Sequence, residues 1–272
     1  MLNDTLNMVY ENRSDIFYNL SKYPDGQQQV ELFQKCNPVV TIKARLNNFN
    51  DLEKIICATA SLRNAGARRI TLFVPYFLGS RSDRKFNPFS NNYLKDIIGP
   101  IINMQKFDAV ITADPHSHVL EACIDKLSVV DTSYLLRYAL HDTGDASTYL
   151  VAPDAGAVSR IKKAVEDLVI PNEIIFCSKH RLPSGDITIK PNSEPSRGSK
   201  VFVVDDICDG GKTFIEVAKA FNKPKSQMFL VVTHGIFSKG FEVLQEYYQT
   251  IYCTNSYSDI FTQSSVKQIN IF

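Results

Sequence analysis

Apolar and polar positions alternate in blocks of two kinds along this chain. Short runs of β-branched and aromatic residues, unbroken by charge, are followed by stretches with helical spacing. Ile70-Thr-Leu-Phe-Val-Pro-Tyr76, Asp108-Ala-Val-Ile-Thr-Ala-Asp114, Thr148-Tyr-Leu-Val-Ala-Pro-Asp154, Glu173-Ile-Ile-Phe-Cys177, Lys200 to Asp206 and Met228-Phe-Leu-Val-Val-Thr233 read as buried strands. Leu52, Ile55, Ile56 and Thr59 recur at helical intervals, with Gly66 placed to end that helix, and Val158, Ile161 and Val165 mark another. Strands alternating with helices predict an α/β fold of mainly parallel sheets covered on both faces. Ligands of such sheets sit beyond the carboxyl ends of the strands, and Asp114, Asp154, Asp205 and Asp206 all fall there.

The richest of these ends is Val201-Phe-Val-Val-Asp-Asp-Ile-Cys-Asp-Gly-Gly-Lys-Thr213. Asp205, Asp206 and Asp209 can hold sugar hydroxyls. Gly210 and Gly211 let backbone N–H groups approach a ligand, and Lys212 and Thr213 lead into a helix whose N-terminus attracts phosphate. The combination suits a sugar phosphate. Arg81-Ser-Asp-Arg-Lys85 is a cation cluster after a strand, suited to clamping a triphosphate. Asp114-Pro-His-Ser-His118 lacks a third ligand for zinc and suits an outer role around a magnesium polyphosphate. Asp154, in Pro153-Asp-Ala-Gly156, is a candidate Mg²⁺ partner. Lys179-His-Arg181 opens a Pro-, Ser- and Gly-rich segment running to Gly198, expected as a mobile loop with a short hairpin. Cations there can offset the charge spread over a transferring phosphoryl group.

Composition narrows the partners. The 272 residues carry 30 basic against 29 acidic side chains, a net charge of +1, so no bulk field draws nucleic acid or a membrane surface. No apolar run approaches the ~20 residues that span a bilayer, and the N-terminal residues lack a secretory pattern. The cysteines, 6 in all, are scattered without a C-x-x-C pair and are expected to be reduced, in a cytoplasmic protein. Cys208 lies within the acidic loop on this reading, where neighbouring carboxylates blunt its reactivity.

Taken in order, these motifs resemble those of the ribose-phosphate diphosphokinases (phosphoribosyl pyrophosphate, PRPP, synthetases). The likeness runs from about Lys22 onward through Tyr23-Pro-Asp-Gly-Gln27, Pro75-Tyr-Phe77, Arg81-Ser-Asp-Arg-Lys85, Asp114-Pro-His116, Pro153-Asp-Ala-Gly156, Lys179-His-Arg181, Asp205-Asp-Ile-Cys-Asp209 and Thr233-His-Gly-Ile-Phe237. The resemblance implies two tandem type I phosphoribosyltransferase-like domains, 1–133 on the ATP side and 134–272 on the ribose-phosphate side, with a mobile catalytic loop at 179–198. The stretch from Leu127 to Leu140 is the expected crossover between them. It also implies a homo-oligomer built from dimers, up to a hexamer, and transfer of the β,γ-diphosphoryl group of ATP to the anomeric hydroxyl of ribose 5-phosphate.

By matching motif, Tyr23, Asp25, Gln27, Arg81, Asp83 and His116 would bind ATP, with the Tyr23 loop reaching adenine on a neighbouring subunit. His116 and Asp154 would support Mg²⁺, and Lys179 and Arg181 would be catalytic. Asp205, Asp206, Asp209, Gly210, Gly211, Lys212 and Thr213 would hold the ribose and its 5-phosphate.

One departure bears on the acceptor. Where these enzymes carry a threonine and a glycine in the phosphate loop, this chain has Gly210 and Lys212. Lost bulk and added charge favour a 5-phosphate extended into a diphosphate, as in ADP-ribose on a route to NAD, over ribose 5-phosphate. Two rivals stand beside a transferase of either kind: a catalytically silent relative that regulates an active synthetase, and a phosphoribosyltransferase that consumes PRPP.

Overall fold

The computed structural model describes residues 3–85, 87–144, 147–166, 173–181, 187–260 and 265–272. The chain divides into two compact units, Met1–Val130 together with Phe272, and Asp131–Ile271. The stretch expected as a crossover holds the last strand of the first unit and the first helix of the second.

The first unit contains strands β1 (Asp4–Asn7), β2 (Tyr18–Lys22), β3 (Gln28–Leu32) and β4 (Val39–Lys43), then helix α1 (Phe49–Asn64) and β5 (Arg69–Phe73). A π-helical turn (Leu94–Ile98) runs into α2 (Gly99–Met104), followed by β6 (Ala109–Ala113), α3 (Val119–Cys123) and β7 (Leu127–Val130). Five strands form one parallel sheet in the order β1-β4-β5-β6-β7. Helix α1 starts where Asn48 accepts a hydrogen bond from Asp51 N (3.1 Å), a cap worth about 1 kcal/mol. It stops at Ala65, with Gly66 (φ +109°) supplying the left-handed turn. Leu52, Ile55, Thr59 and Leu62 form its buried stripe. Strands β2 and β3 are a separate antiparallel hairpin, tied to α1 by Ser61 Oγ donating to Val30 O (2.8 Å).

The second unit runs through α4 (Ser133–Thr143), β8 (Thr148–Ala152), α5 (Ala155–Glu166), β9 (Glu173–Arg181), β10 (Ile187–Pro191), β11 (Lys200–Cys208), α6 (Lys212–Phe221), β12 (Met228–Gly235), α7 (Glu242–Gln245), β13 (Thr250–Thr254) and β14 (Val266–Ile269). Its sheet has the order β10-β9-β8-β11-β12-β13-β14, parallel except where β10 pairs antiparallel with β9.

Period-two alternation divides this sheet's side chains between two cores. Phe202, Val204, Phe229 and Val231 pack with Leu135, Leu136, Ala157 and Ile161 on the α4–α5 face. Val201, Val203, Leu230 and Val232 pack with Phe214, Val217 and Leu244 on the α6–α7 face. The Phe202 and Phe229 rings stack at 4.7 Å, and fully burying one such ring stabilises by about 2 kcal/mol. All eight residues of β12 are buried, which explains its continuous apolar run.

Several expected boundaries shift. Strand β11 extends through Cys208, so Asp205 and Asp206 lie on the strand's last turns of pleat rather than past its end. Cys208 is fully buried in the α6–α7 core and not in the acidic loop. Helix α5 buries Ala157, Ile161 and Ala164, leaving Val158 and Val165 at the margin, because its stripe is one residue out of phase with the valines. The segment expected as a loop after Lys179 is in part the β9–β10 hairpin; residues 182–186, inside the expected mobile segment 179–198, lie outside the described residues.

Candidate active site

Two clusters of candidate residues stand at strand ends, one in each unit. In the first, Tyr23 to Gln27 form the β2–β3 turn. Tyr23 N donates to Gln27 O (2.9 Å), Gly26 N to Tyr23 O (2.9 Å), and Gln27 N to the Asp25 carboxylate (3.2 Å). Gly26 makes this possible with φ +102°. Tyr23, Asp25 and Gln27 are all exposed on the turn.

The loops after β5 and β6 meet. Asp83 Oδ2 accepts from Ser117 Oγ at 2.5 Å, and Asp83 O accepts from Asn92 Nδ2 at 2.7 Å. Buried Asn92 also caps the following helical turn, its Oδ1 accepting from Lys95 N (2.9 Å). The loop carrying exposed Arg81 is thereby fixed beside the loop carrying exposed His116. Asp114, the first residue beyond β6, has φ +37°, a left-handed conformation that turns the chain sharply at the strand end. His118 pairs locally with Glu121 (3.3 Å), which leaves it a surface role.

In the second unit the chain leaves β8 toward β9 and returns with β11 on β8's other side. The carboxyl ends of β8 and β11 therefore flank a topological switch point, where parallel sheets open a crevice. Asp154 follows β8. Its Oδ1 accepts from Gly156 N (3.0 Å) and Ala157 N (3.3 Å), capping α5, while Oδ2 lies 3.9 Å from Lys179 Nζ. Lys179, on β9, reaches across the end of β8 and donates to Thr213 Oγ1 at 2.9 Å. Three of the expected residues thus converge on one spot. Arg181 ends β9 opposite Ile187, and its side chain lies outside the described residues.

Asp205 and Asp206 meet a residue that the motif reading passed over. Arg160 NH1 lies 3.4 Å from Asp205 Oδ1 and 3.7 Å from Asp206 Oδ1, and the Asp206 side chain is almost wholly buried. Burial, then the neighbouring charges of Asp206 and Asp154, push the Asp205 carboxyl well above the usual carboxylate range, with Arg160 pulling the other way. Arg160 is not signalled by the pattern of Val158, Ile161 and Val165, which lies out of phase with the buried face. It stands beside Ile161 on the inward stripe of an amphipathic helix, where a cation needs a buried acid. Burial raises the Cys208 thiol, helped by Asp205 and Asp209, which disfavours its thiolate.

The phosphate loop is shaped by one glycine more than the other. Gly211 has φ +77°, and a Cβ there would meet Leu244 Cδ2 at 3.2 Å. Gly210 is free of that restriction, and half-buried Asp209 precedes it. Lys212 is exposed on the first turn of α6, with Thr213 behind it.

Among the described residues no group of three or more His, Cys, Asp or Glu side chains is placed to hold a metal by itself. Asp154, a single carboxylate just past a strand end, is a hard oxygen donor of the kind that Mg²⁺ takes alongside phosphate oxygens and water. All six cysteines are free thiols, and no described helix is long and apolar enough to cross a membrane.

Comparison with known proteins agrees with this architecture. Residues 136–260 match the family described as phosphoribosyl transferase domain. A ribose-phosphate pyrophosphokinase of Pyrococcus abyssi is 25% identical over 229 residues, covering 81% of this chain and 77% of its own. That of Bradyrhizobium diazoefficiens is 28% identical over 194 residues, covering 70% and 60%. The chain is similar to ribose-phosphate pyrophosphokinases over most of its length. The crystal structure of the phosphoribosylpyrophosphate synthetase from Mycobacterium smegmatis shares the fold, with a TM-score of 0.79 at 16% identity over 96% of this chain and 88% of that one. The α/β fold of helix-flanked, mainly parallel sheets is that of this synthetase.

Proposed function

We propose that this chain is a pyrophosphokinase, transferring the β,γ-diphosphoryl group of ATP to the anomeric hydroxyl of a ribose 5-phosphate moiety. The observation that carries this reading is the convergence of Lys179, Asp154 and Thr213 beside the Asp205–Asp206–Arg160 cluster at the switch point of the second sheet. The likeness to ribose-phosphate pyrophosphokinases supports the same chemistry.

In the reaction the acceptor's 1-hydroxyl oxygen bonds to the β-phosphorus of ATP, the α,β-bridging bond breaks, AMP leaves and the hydroxyl proton is released. Asp205, Asp206 and Asp209 accept hydrogen bonds from the ribose hydroxyls, and Arg160 holds the first two in place. Gly210 to Thr213 enclose the 5-phosphate with backbone N–H groups and the first turn of α6. Lys179 and Arg181 stabilise charge on the transferring group, a contribution of about 3 kcal/mol for a well-placed cation. Arg81, Asp83 and His116 serve the ATP phosphates, and Tyr23, Asp25 and Gln27 the adenine. Mg²⁺, when bound, neutralises charge on the polyphosphate, with His116 and Asp154 as its protein partners. The assembly is a homo-oligomer built from dimers, in the reducing cytoplasm that six free thiols favour.

Two acceptors fit this chemistry. ADP-ribose is favoured by the space at Gly210 and the charge of Lys212, and would place the enzyme in NAD synthesis. Ribose 5-phosphate, giving PRPP, is favoured by the names of the relatives. The test supplies ATP, Mg²⁺ and each acceptor in turn, measuring AMP by chromatography and the product by mass spectrometry. AMP with a product heavier than the acceptor by a diphosphoryl group is expected. Absence of AMP with both acceptors would refute the proposal and return the chain to a regulatory or PRPP-consuming role.

A further inference from the structure

The turn after β12 brings a lysine to the phosphate loop that none of the motifs contains. Cys208 O, at the end of β11, accepts from both Ile236 N (2.9 Å) and Phe237 N (3.1 Å), which fastens this turn to the acidic strand. Phe237 is buried with φ +48° and meets Phe241 edge-on at 5.9 Å. Its ring occupies space left by Gly235, where a Cβ would lie 2.2 Å from Phe237 Cε2. Gly240 N then closes the turn on Phe237 O (2.8 Å).

At the tip of this anchored turn, the stem of Lys239 lies over Gly210. A Cβ on Gly210 would stand 3.6 Å from Lys239 Cδ and 3.7 Å from Cε. Lys239 is exposed, and among the described residues it has no hydrogen-bond or ion-pair partner. An ammonium without an acid partner among the described residues therefore flanks the bare backbone of the loop, and Lys212 begins α6 two residues after Gly210.

We propose that Lys239 is a specificity-determining residue of the acceptor site, binding the distal phosphate of an acceptor whose 5-phosphate is extended into a diphosphate. The proposal rests on the pyrophosphokinase reading above and names the substrate class for that site. The loop's backbone N–H groups suit one phosphate close to the chain. A flexible lysine stem over a residue without a side chain suits a second phosphate that projects from the loop. A threonine at 210 would place its side chain against the lysine stem and narrow that space.

The test compares wild type, Lys239→Ala, Lys239→Arg and Gly210→Thr in kcat/KM for ADP-ribose and for ribose 5-phosphate. The ratio of the two, ADP-ribose over ribose 5-phosphate, should fall about tenfold in Lys239→Ala, the loss expected for one charge-assisted contact. It should fall in Gly210→Thr as well and recover in Lys239→Arg. An unchanged ratio in Lys239→Ala would overturn the proposal even though AMP forms. If no AMP forms with either acceptor, the pyrophosphokinase reading fails by itself, and calorimetry with inorganic pyrophosphate and inorganic phosphate decides the role of the lysine. Pyrophosphate should bind more tightly than phosphate, with the advantage reduced about tenfold in Lys239→Ala. Equal loss for both anions, or none, rejects it.

Discussion

Replacing each glycine of the phosphate loop with alanine separates backbone strain from lost space. At Gly211, φ +77° lies in the left-handed region, which costs an alanine about 1 kcal/mol. The new methyl would also press on Leu244, with Cδ2 at 3.2 Å and Cγ at 3.3 Å, and Leu244 is buried with no open side to move toward. Overpacking of this kind adds about 1 kcal/mol. Gly211→Ala should therefore destabilise by about 2 kcal/mol, lowering Tm by about 6 °C for a protein of this size. Gly210 is its internal control. Its φ is not in the left-handed region, and a methyl there meets Lys239 Cδ at an ordinary 3.6 Å. Gly210→Ala should stay within about 0.5 kcal/mol of wild type. Urea unfolding of the three proteins, followed by circular dichroism, measures both differences. Equal stability of the two variants would refute the assignment of strain to one glycine and openness to the other.

Lys179→Ala should lower AMP release by about 10²-fold or more while leaving the thermal transition nearly unchanged, since among the described residues Lys179 offers one hydrogen bond and a 3.9 Å ion pair to the fold. Arg160→Met leaves two acids without their cation and should cost about 3 kcal/mol at pH 8 by urea unfolding. Because the folded Asp205 carboxyl is raised, the native state binds its proton more tightly than the unfolded chain does. Stability therefore falls as pH rises from the ordinary carboxylate range through the raised value, and the Arg160→Met defect should shrink at pH 5. No such shrinkage would mean that the Asp205 carboxyl is not raised as described. Tyr252→Phe removes the 2.6 Å hydrogen bond to Asp142, which Lys267 also contacts, and should cost about 1 kcal/mol in the same assay. In a native thiol titration Cys177, Cys208 and Cys253, all buried, should resist a reagent that modifies Cys36, Cys57 and Cys123 slowly, and fast modification of Cys208 would contradict its place in the core.

Strands β8, β9, β11 and β12 of the second unit were legible because both faces of each are covered, so that Met228 to Thr233 and Val201 to Val204 carry no charge, whereas β13 and β14 were not read as strands. Strand ends were less legible. An aspartate signals a terminus by its polarity, yet Asp206 is buried and paired inside β11, so the expected end at Asp206 came two residues early. β1, β4 and β7 were not read as strands, and the β2–β3 hairpin was missed because Tyr18 to Leu32 mixes lysine, proline and three glutamines, its pairing becoming visible only with α1 beneath it. Within the site, residues in contiguous motifs were found and those arriving from elsewhere were not. Asn92 fixes the Asp83 loop through a contact 9 positions away, and Lys239 reaches Gly210 through a turn whose shape depends on Phe237 filling the space above Gly235. Local spacing carries no record of such distant meetings. Arg160 was missed as well, because Val158, Ile161 and Val165 suggest a stripe out of phase with the buried one.

β12, shielded along its whole length and paired on both sides, should hold the slowest-exchanging amides of the second unit, and β11 with its acids is its immediate neighbour. Lys179 instead rides on β9, whose outer neighbour is the short strand β10 at the sheet margin. Asp205 and Asp206, assigned to the sugar, should thus share the late opening of β12. The cation assigned to the transferring diphosphoryl group sits where smaller fluctuations suffice to shift it, so variation accumulating at that margin would retune turnover sooner than it would erase sugar recognition.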